Sequence, residues 1–155
     1  MSTLAAAPAP APAPAPVRYD GVDALLADAR SRLDRISPRA AFQELVARVH
    51  DHDQAVVLVD IRPAAQRAAE GEVAAWLPAL VVERNVLEWR FDPRSDARLP
   101  EASYDLRVLV LCQEGYTSSL AADALRSLGI HGATDVIGGF AAWRAAGMPV
   151  AGVAA

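Results

Sequence analysis

A short run that is apolar at every position constrains the fold of this chain more than any other feature. Residues 55–59 read Ala-Val-Val-Leu-Val and end at Asp60. A strand with one face in water alternates apolar and polar residues, so this unbroken run predicts a strand covered on both faces, as in parallel sheets with helices on each side. Residues 77–82 form a second apolar run, and further strands are predicted over residues 107–111 and 133–137.

Segments with apolar residues at helical spacing separate these runs. The first spans residues 20–33, with Asp20 as its expected N-cap. The second starts at Ser37-Pro38, because Ser suits the N-cap and Pro the first turn. Further helices are predicted over residues 64–69, 85–90, 120–128 and 140–146. Strands that alternate with helices predict right-handed crossovers and a largely parallel sheet, so the expected fold class is α/β.

The chain has room for one domain with its own core. Its 155 residues are too few for two ordinary domains. Residues 5–16 alternate between Ala and Pro almost without interruption, and proline fixes φ and removes backbone donors. We therefore expect a disordered Ala/Pro-rich tail over residues 1–19 and a single domain over residues 20–155.

Charge and cysteine content argue against several classes of function. The formal net charge of −4 gives no footprint for nucleic acid and no attraction to anionic membranes. No segment approaches the ~18 apolar residues of a membrane span, and the N-terminal residues lack the features of a signal peptide. The single cysteine excludes an internal disulfide and a Cys-pair zinc site, and His50 and His52 have no cluster of further ligands around them. We expect a cytoplasmic protein without a metal or other cofactor.

The only cysteine, Cys112, lies between the third predicted strand and the helix that follows it. Backbone N–H groups and the positive dipole end of a helix favour anions, including a thiolate. Gly115 lets the loop curl, and hydroxyl groups follow at Thr117 and Ser118. Parallel strands end at one edge of a sheet, so Asp60, at the end of the first strand, should lie near this loop. The pattern predicts a nucleophilic cysteine in a loop that binds anions.

Three groups of residues together resemble the rhodanese-like sulfurtransferases. They are Val59-Asp60-Ile61-Arg62, the loop Cys112-Gln113-Glu114-Gly115-Tyr116-Thr117-Ser118, and Gly138-Gly139-Phe140 followed by Trp143, Gly147, Pro149 and Val150. The similarity covers about residues 38–150. It implies a single-domain, three-layer rhodanese-like fold with a central parallel sheet flanked by helices.

The resemblance also implies a reaction and a set of site residues. Cys112 would take a sulfane sulfur from a small donor as a persulfide, and a thiol or cyanide acceptor, or a sulfur-accepting protein, would remove it. The rest of the loop would contact the substrate, namely Gln113, Glu114, Gly115, Tyr116, Thr117 and Ser118. Asp60 and Arg62 would be structural residues near the site, with Arg62 paired to a buried carboxylate.

Two departures from the family pattern affect the site. The family usually has Gly-His-Ile-Pro-Gly-Ala before the second strand, whereas here residues 71–73 (Gly-Glu-Val) are followed by four residues, 74–77, before Pro78. Members that prefer thiosulfate commonly carry basic residues in the loop, whereas this loop has Glu114 and neither Lys nor Arg. A Glu114 side chain that faces the substrate repels a dianionic donor. Arg62 and Arg67 are the nearest sources of positive charge, and Arg67 is predicted to contact the substrate.

Two other functions fit parts of the pattern. A non-catalytic or regulatory rhodanese-like module would bind a partner protein or deliver sulfur to it, and the acidic loop and the Pro-rich tail favour this function. A cysteine-dependent phosphatase would use a related loop, but it needs an Arg six positions after the cysteine, and position 118 is Ser.

Overall fold

Helices and short strands alternate along the chain, as the sequence predicts. The computed structural model describes residues 7–16, 18–50 and 55–152. The helices are α1 Val22–Ser31, α2 Pro38–His50, α3 Ala64–Glu70, α4 Leu87–Phe91, α5 Thr117–Ser127 and α6 Gly139–Ala145, and a 3-10 turn, Arg84–Val86, precedes α4. The strands are β1 Val56–Asp60, β2 Ala79–Val81, β3 Arg107–Leu111 and β4 Ala133–Asp135.

The four strands form one parallel sheet in the order β2-β1-β3-β4. In its register Asp60 is opposite Leu111, and Val110 is opposite Asp135. The carboxyl ends of β1, β3 and β4 therefore meet at one edge, and Cys112 follows directly after β3. This arrangement confirms the predicted α/β class and places Asp60, Cys112 and Asp135 at the same edge.

Both faces of the sheet are covered. Val57 and Val59 pack with α4 and α5 in one buried cluster, whereas Val56 and Leu58 pack with α2 and α6 in a second cluster on the opposite face. All five residues of β1 are buried, which explains why its sequence is apolar throughout and not alternating. The three predicted layers are confirmed.

Of the two predicted N-cap residues, one is confirmed and one is wrong. The Ala40 N–H donates to Ser37 Oγ at 3.1 Å, so Ser37 caps α2 as predicted. Asp20 does not cap α1, because the helix begins two residues later and Gly21 is its N-cap. Gly21 has φ 89°, a conformation that suits glycine, and the Gly21 carbonyl accepts the Leu25 N–H.

Strand β4 is shorter than the predicted run 133–137. The Val136 N–H makes the last hydrogen bond to β3, at the Val110 carbonyl, and the chain also pairs there with the segment between α1 and α2. Val136 forms a parallel bridge with Ile36, and the Ile137 N–H donates to the Ile36 carbonyl at 2.8 Å. The segment that precedes α2 is thereby fixed to the same sheet edge as Cys112.

The atypical segment 74–77 folds as a turn away from the cysteine. The Leu77 N–H donates to the Ala74 carbonyl, and Val73 forms an antiparallel bridge with Val150. The Trp76 ring packs edge-on against Phe42, with 6.2 Å between centroids. The extra residues therefore join the side of the domain that carries α2.

Two expectations concern segments that lie partly outside the residues described by the structure. The expected tail includes residues 1–6 and 17, and the histidine pair includes His52; all of these are outside the described residues. Residues 7–16 are exposed and have no regular secondary structure. Within the described ranges, no helix has the length and apolar character needed to cross a bilayer.

Replacing Ser37 with Ala should cost about 1 kcal/mol of unfolding free energy, because the Ala40 N–H loses its acceptor at the start of α2. Urea denaturation followed by circular dichroism measures the change. Ser127→Ala is the control, since this hydroxyl donates to the Asp123 carbonyl within α5, and about 0.5 kcal/mol or less is expected. Equal losses for the two variants would contradict the capping role.

Candidate active site

Cys112 is the first residue of the loop between β3 and α5. Its side chain is only 4% exposed, and its Sγ accepts a hydrogen bond from the Gly115 N–H at 3.2 Å. An amide donor aimed at sulfur stabilises negative charge on that atom. The loop geometry can therefore hold an anionic sulfur.

The outer side of this loop is held by helix α6. The Phe140 N–H donates to the Cys112 carbonyl at 2.8 Å, and the Ala141 N–H donates to the Gln113 carbonyl at 3.0 Å. N–H groups in the first turn of a helix have no partner within the helix, so these two carbonyls satisfy them. The Cys112 and Gln113 carbonyls consequently point toward α6 and not toward the sulfur.

Glycines allow the two loops to come this close. A Cβ on Gly139 would overlap the Cys112 carbonyl oxygen and lie 2.7 Å from the Gln113 carbonyl carbon. A Cβ on Gly115 would lie 2.6 Å from the Gly138 nitrogen. Gly139 and Gly115 are thus required by backbone-to-backbone contact between the β4–α6 loop and the cysteine loop, whereas a Cβ on Gly138 would meet the Ala142 side chain within α6.

Asp60 and Arg62 form a buried ion pair beside the loop. Arg62 Nη2 donates to Asp60 Oδ2 at 2.6 Å, and its Nε donates to Oδ1 at 3.0 Å. Arg62 Nη1 also donates to Gln113 Oε1 at 2.9 Å, and its guanidinium lies 4.2 Å from the Phe140 ring centroid. The pair links the end of β1 to the cysteine loop and to α6.

A cavity of about 490 Å³ opens over Cys112, a size in the range of small-molecule sites. Of the residues predicted to contact substrate, Gln113, Glu114, Tyr116 and Thr117 line it. Glu114 is exposed, and Tyr116 is 60% exposed. The carboxylate that the sequence places in the loop therefore lies on the wall of the cavity.

Three predicted contact residues lie outside this lining. Gly115 contributes backbone behind the sulfur, and the Ser118 hydroxyl is fully buried and donates to Asp135 Oδ2 at 2.8 Å. Arg67 donates to the Arg62 carbonyl and pairs with Glu72 at 2.5 Å. The Arg67 side chain is held by these two partners and is not part of the cavity lining, and its contact with the substrate stays a prediction.

Sequence reasoning missed Arg84 and Gln66, which line the cavity with Arg62. Arg84 follows β2 and pairs with Glu88 at 2.7 Å, one helical turn further on. The rule that pointed to Asp60 also applies here, because residues after a parallel strand lie at the carboxyl edge of the sheet. Arg84 therefore places a positive charge on the cavity wall, next to the Glu88 carboxylate.

A second polar group supports the loop from behind. Asp135 is fully buried and accepts hydrogen bonds from the hydroxyls of Ser118 and Ser119, each at 2.8 Å. Arg35 Nε also donates to Asp135 at 2.8 Å. Among the described residues, no cluster of three or more His, Cys, Asp or Glu side chains is arranged to hold a metal ion.

These features define an α/β domain that carries one thiol in an amide-lined loop at the carboxyl edge of a parallel sheet. The rhodanese-like domain model matches residues 41–146, which is more than half of the chain. The chain belongs to the rhodanese-like domain family, as the sequence motifs predicted.

Two curated proteins of Zea mays match part of the chain. They are the adenylyltransferase and sulfurtransferase MOCS3-1 and MOCS3-2, each 33% identical over 93 residues, or 60% of this chain. The match spans 19% and 18% of their lengths, so the chain corresponds to about a fifth of these relatives. This similarity supports sulfur transfer as the general activity of the family to which the chain belongs.

Solved structures share the whole fold. A protein of unknown function from Rhodopseudomonas palustris, described as a possible tyrosine phosphatase, is 28% identical with a TM-score of 0.72, covering 89% of this chain and 99% of its own. The polysulfide-sulfur transferase homodimer of Wolinella succinogenes is 22% identical with a TM-score of 0.60, covering 83% and 85%. At that identity, the second likeness shows the fold alone.

Proposed function

We propose that this protein is a sulfurtransferase that carries a sulfane sulfur as a persulfide on Cys112. The proposal rests on one observation: Cys112 Sγ accepts a hydrogen bond from the Gly115 N–H at the base of a cavity. Membership of the rhodanese-like family and the maize sulfurtransferase relatives support it. A single free thiol suits a reducing compartment, so we propose the cytoplasm as its place of action.

The first half-reaction loads the thiol. The Cys112 thiolate attacks the outer sulfur of thiosulfate, the sulfur–sulfur bond of the donor breaks, and sulfite leaves with the electron pair. Cys112 now carries a persulfide whose negative charge lies on the terminal sulfur. The loop amides stabilise this anion in the same way as they stabilise the thiolate.

The second half-reaction returns the thiolate. Cyanide or a thiolate acceptor attacks the terminal sulfur, the persulfide bond breaks, and the electron pair stays on Cys112 Sγ. The products are thiocyanate or the persulfide of the acceptor. No external oxidant or reductant is required, because the sulfane sulfur passes between nucleophiles at each step.

Charges on the cavity wall bear on the choice of donor. Arg62 and Arg84 attract an anionic donor, and the exposed Glu114 carboxylate opposes a dianion. Arg62 is paired with Asp60 and Arg84 with Glu88, but Arg62 is buried whereas the Arg84 side chain is 37% exposed. We propose that Arg84 and the loop residues Gln113, Tyr116 and Thr117 form the donor-binding surface.

Intact-mass spectrometry tests the proposal directly. The protein is reduced, incubated with thiosulfate or with 3-mercaptopyruvate, desalted and weighed. We expect a gain of one sulfur atom that cyanide removes and that Cys112→Ala does not show. Because the chain has one cysteine, the adduct has one site. No adduct with either donor or with a polysulfide would overturn the proposal in favour of a module that only binds a partner.

The same loop does not favour phosphate transfer. A cysteine phosphatase needs a guanidinium at the end of the loop, and position 118 holds a serine whose hydroxyl is committed to Asp135. Helix α5 begins at Thr117, so the loop after β3 spans only residues 112–116. We therefore assign the cavity to sulfur donors.

A further inference from the structure

The carbonyl of Gly115, in the middle of the cysteine loop, is held by two guanidinium groups. Arg30 Nη2 donates to it at 2.8 Å, and Arg35 Nη2 donates to it at 3.0 Å. Arg30 belongs to α1 and Arg35 to the segment before α2, so both precede the part of the chain that the family model matches. Arg30 Nε also donates to Ser119 Oγ at 3.0 Å, in the first turn of α5.

This contact determines the direction of the next amide. The peptide between Gly115 and Tyr116 is planar and trans, so its N–H points opposite to its C=O. The arginines fix the direction of the carbonyl, so they also fix the opposite direction of the Tyr116 N–H, which follows the Gly115 N–H that meets Cys112 Sγ. Donation from a cation to the carbonyl oxygen also polarises the peptide and strengthens its N–H as a donor.

The two arginines differ in whether a nearby carboxylate compensates their charge. Arg35 pairs with the buried carboxylate of Asp135 at 2.8 Å, so its charge is compensated nearby. No ion pair among the described residues includes Arg30, and its guanidinium lies 5.8 Å from the Tyr116 ring centroid. Arg30 therefore brings an unbalanced positive charge to a loop whose own sequence contains only Glu114 as a charged residue.

We propose that Arg30 is a positioning residue of the cysteine loop, which fixes the Gly115–Tyr116 peptide so that its N–H faces the Cys112 sulfur and which supplies the positive charge that the loop lacks. The inference rests on the proposed persulfide chemistry for its role in turnover. Its effect on the thiolate is measurable without any sulfur donor.

The test compares Arg30→Gln with Arg32→Gln. Arg32 is the C-cap residue directly after α1, and its guanidinium pairs with Asp123 and Asp28 at the surface, so its replacement is a matched loss of one nearby arginine. Iodoacetamide, a neutral reagent, is used to alkylate Cys112 across a range of pH, and thiosulfate loading is followed by mass. The charged groups Arg35, Arg62, Arg84, Glu114 and Asp135 stay the same in all samples.

For Arg30→Gln we expect the alkylation profile to move to higher pH and the initial loading rate to fall about tenfold, at the low end of what a charge-assisted hydrogen bond contributes. Arg32→Gln should match the wild type. Arg30→Lys should recover much of the profile, because it keeps the charge while a single ammonium replaces the two-atom contact. Profiles for Arg30→Gln and Arg32→Gln that coincide would overturn the inference.

Two further results separate this inference from the proposed function. A shifted alkylation profile in a protein that no donor loads would refute sulfur transfer and leave the positioning role standing. If Arg30→Gln does not fold, the amide N–H signals of the wild-type protein provide the test. The Tyr116 N–H signal should move markedly when Cys112 is ionised or alkylated. An unmoved Tyr116 signal would overturn the inference.

Discussion

Replacing Arg62 with Met is expected to destabilise the fold by about 3–5 kcal/mol, because it leaves the buried Asp60 carboxylate without its partner. Urea denaturation at neutral pH measures the loss. The same substitution frees the Gln113 amide, which accepts from Arg62, so sulfur loading should slow even where the variant is folded.

Arg67→Met is the matched control for that variant. Its partner Glu72 is about half exposed in the structure, so removing the pair should change the unfolding free energy by about 1 kcal/mol or less. Adding Asp60→Asn to Arg62→Met should restore part of the lost stability, since the uncompensated charge is removed. Similar losses for Arg62→Met and Arg67→Met would show that the buried pair has no special role.

Gly139→Ala is expected to lower the unfolding free energy by about 3 kcal/mol. Alanine would have to adopt a left-handed backbone, and its Cβ would overlap backbone atoms, which cannot move aside as a side chain can. Gly139 has φ 62°, and the new Cβ would meet backbone atoms of Cys112 and Gln113. Relief of the overlap requires the β4–α6 loop and the cysteine loop to separate, so thiosulfate loading should fall together with stability.

Gly147→Ala isolates the conformational part of this effect. Gly147 has φ 72°, but a Cβ there meets nothing within 4 Å. We expect it to cost only about 1 kcal/mol and to load sulfur at the wild-type rate. If Gly139→Ala behaved like Gly147→Ala in both measurements, the close approach of the two loops would have no energetic importance.

Much of the fold follows from patterns within a few residues. The unbroken apolar run that ends at Asp60 predicts a strand covered on both faces, and the structure places β1 at the centre of the sheet with all its residues buried. Ser37-Pro38 marks the start of α2 correctly. Asp20 was a wrong N-cap because the pattern identifies suitable side chains, whereas the backbone at Gly21 decides where the helix begins.

The contacts that support the site could not be predicted from such local patterns. Arg30 and Arg35 reach Gly115 across 85 and 80 residues of chain, and no local pattern signals such a contact. The position of Arg67 after β1 predicts a substrate contact, but that position does not reveal its ion pair with Glu72. Arg84, by contrast, could have been found by applying the strand-end rule to β2.

The hydrogen bonds to the cysteine loop also define how the domain could be transplanted into another protein. A piece cut at residues 41–146, the limits of the family match, keeps Cys112 and α6 but omits Arg30, Arg35 and Pro149, whose carbonyl accepts the Trp143 indole N–H. A portable unit should therefore start before α1 and continue past Val150, which pairs with Val73. Fusion points belong in the Ala/Pro-rich segment 7–16, which is exposed and joins the domain just before α1.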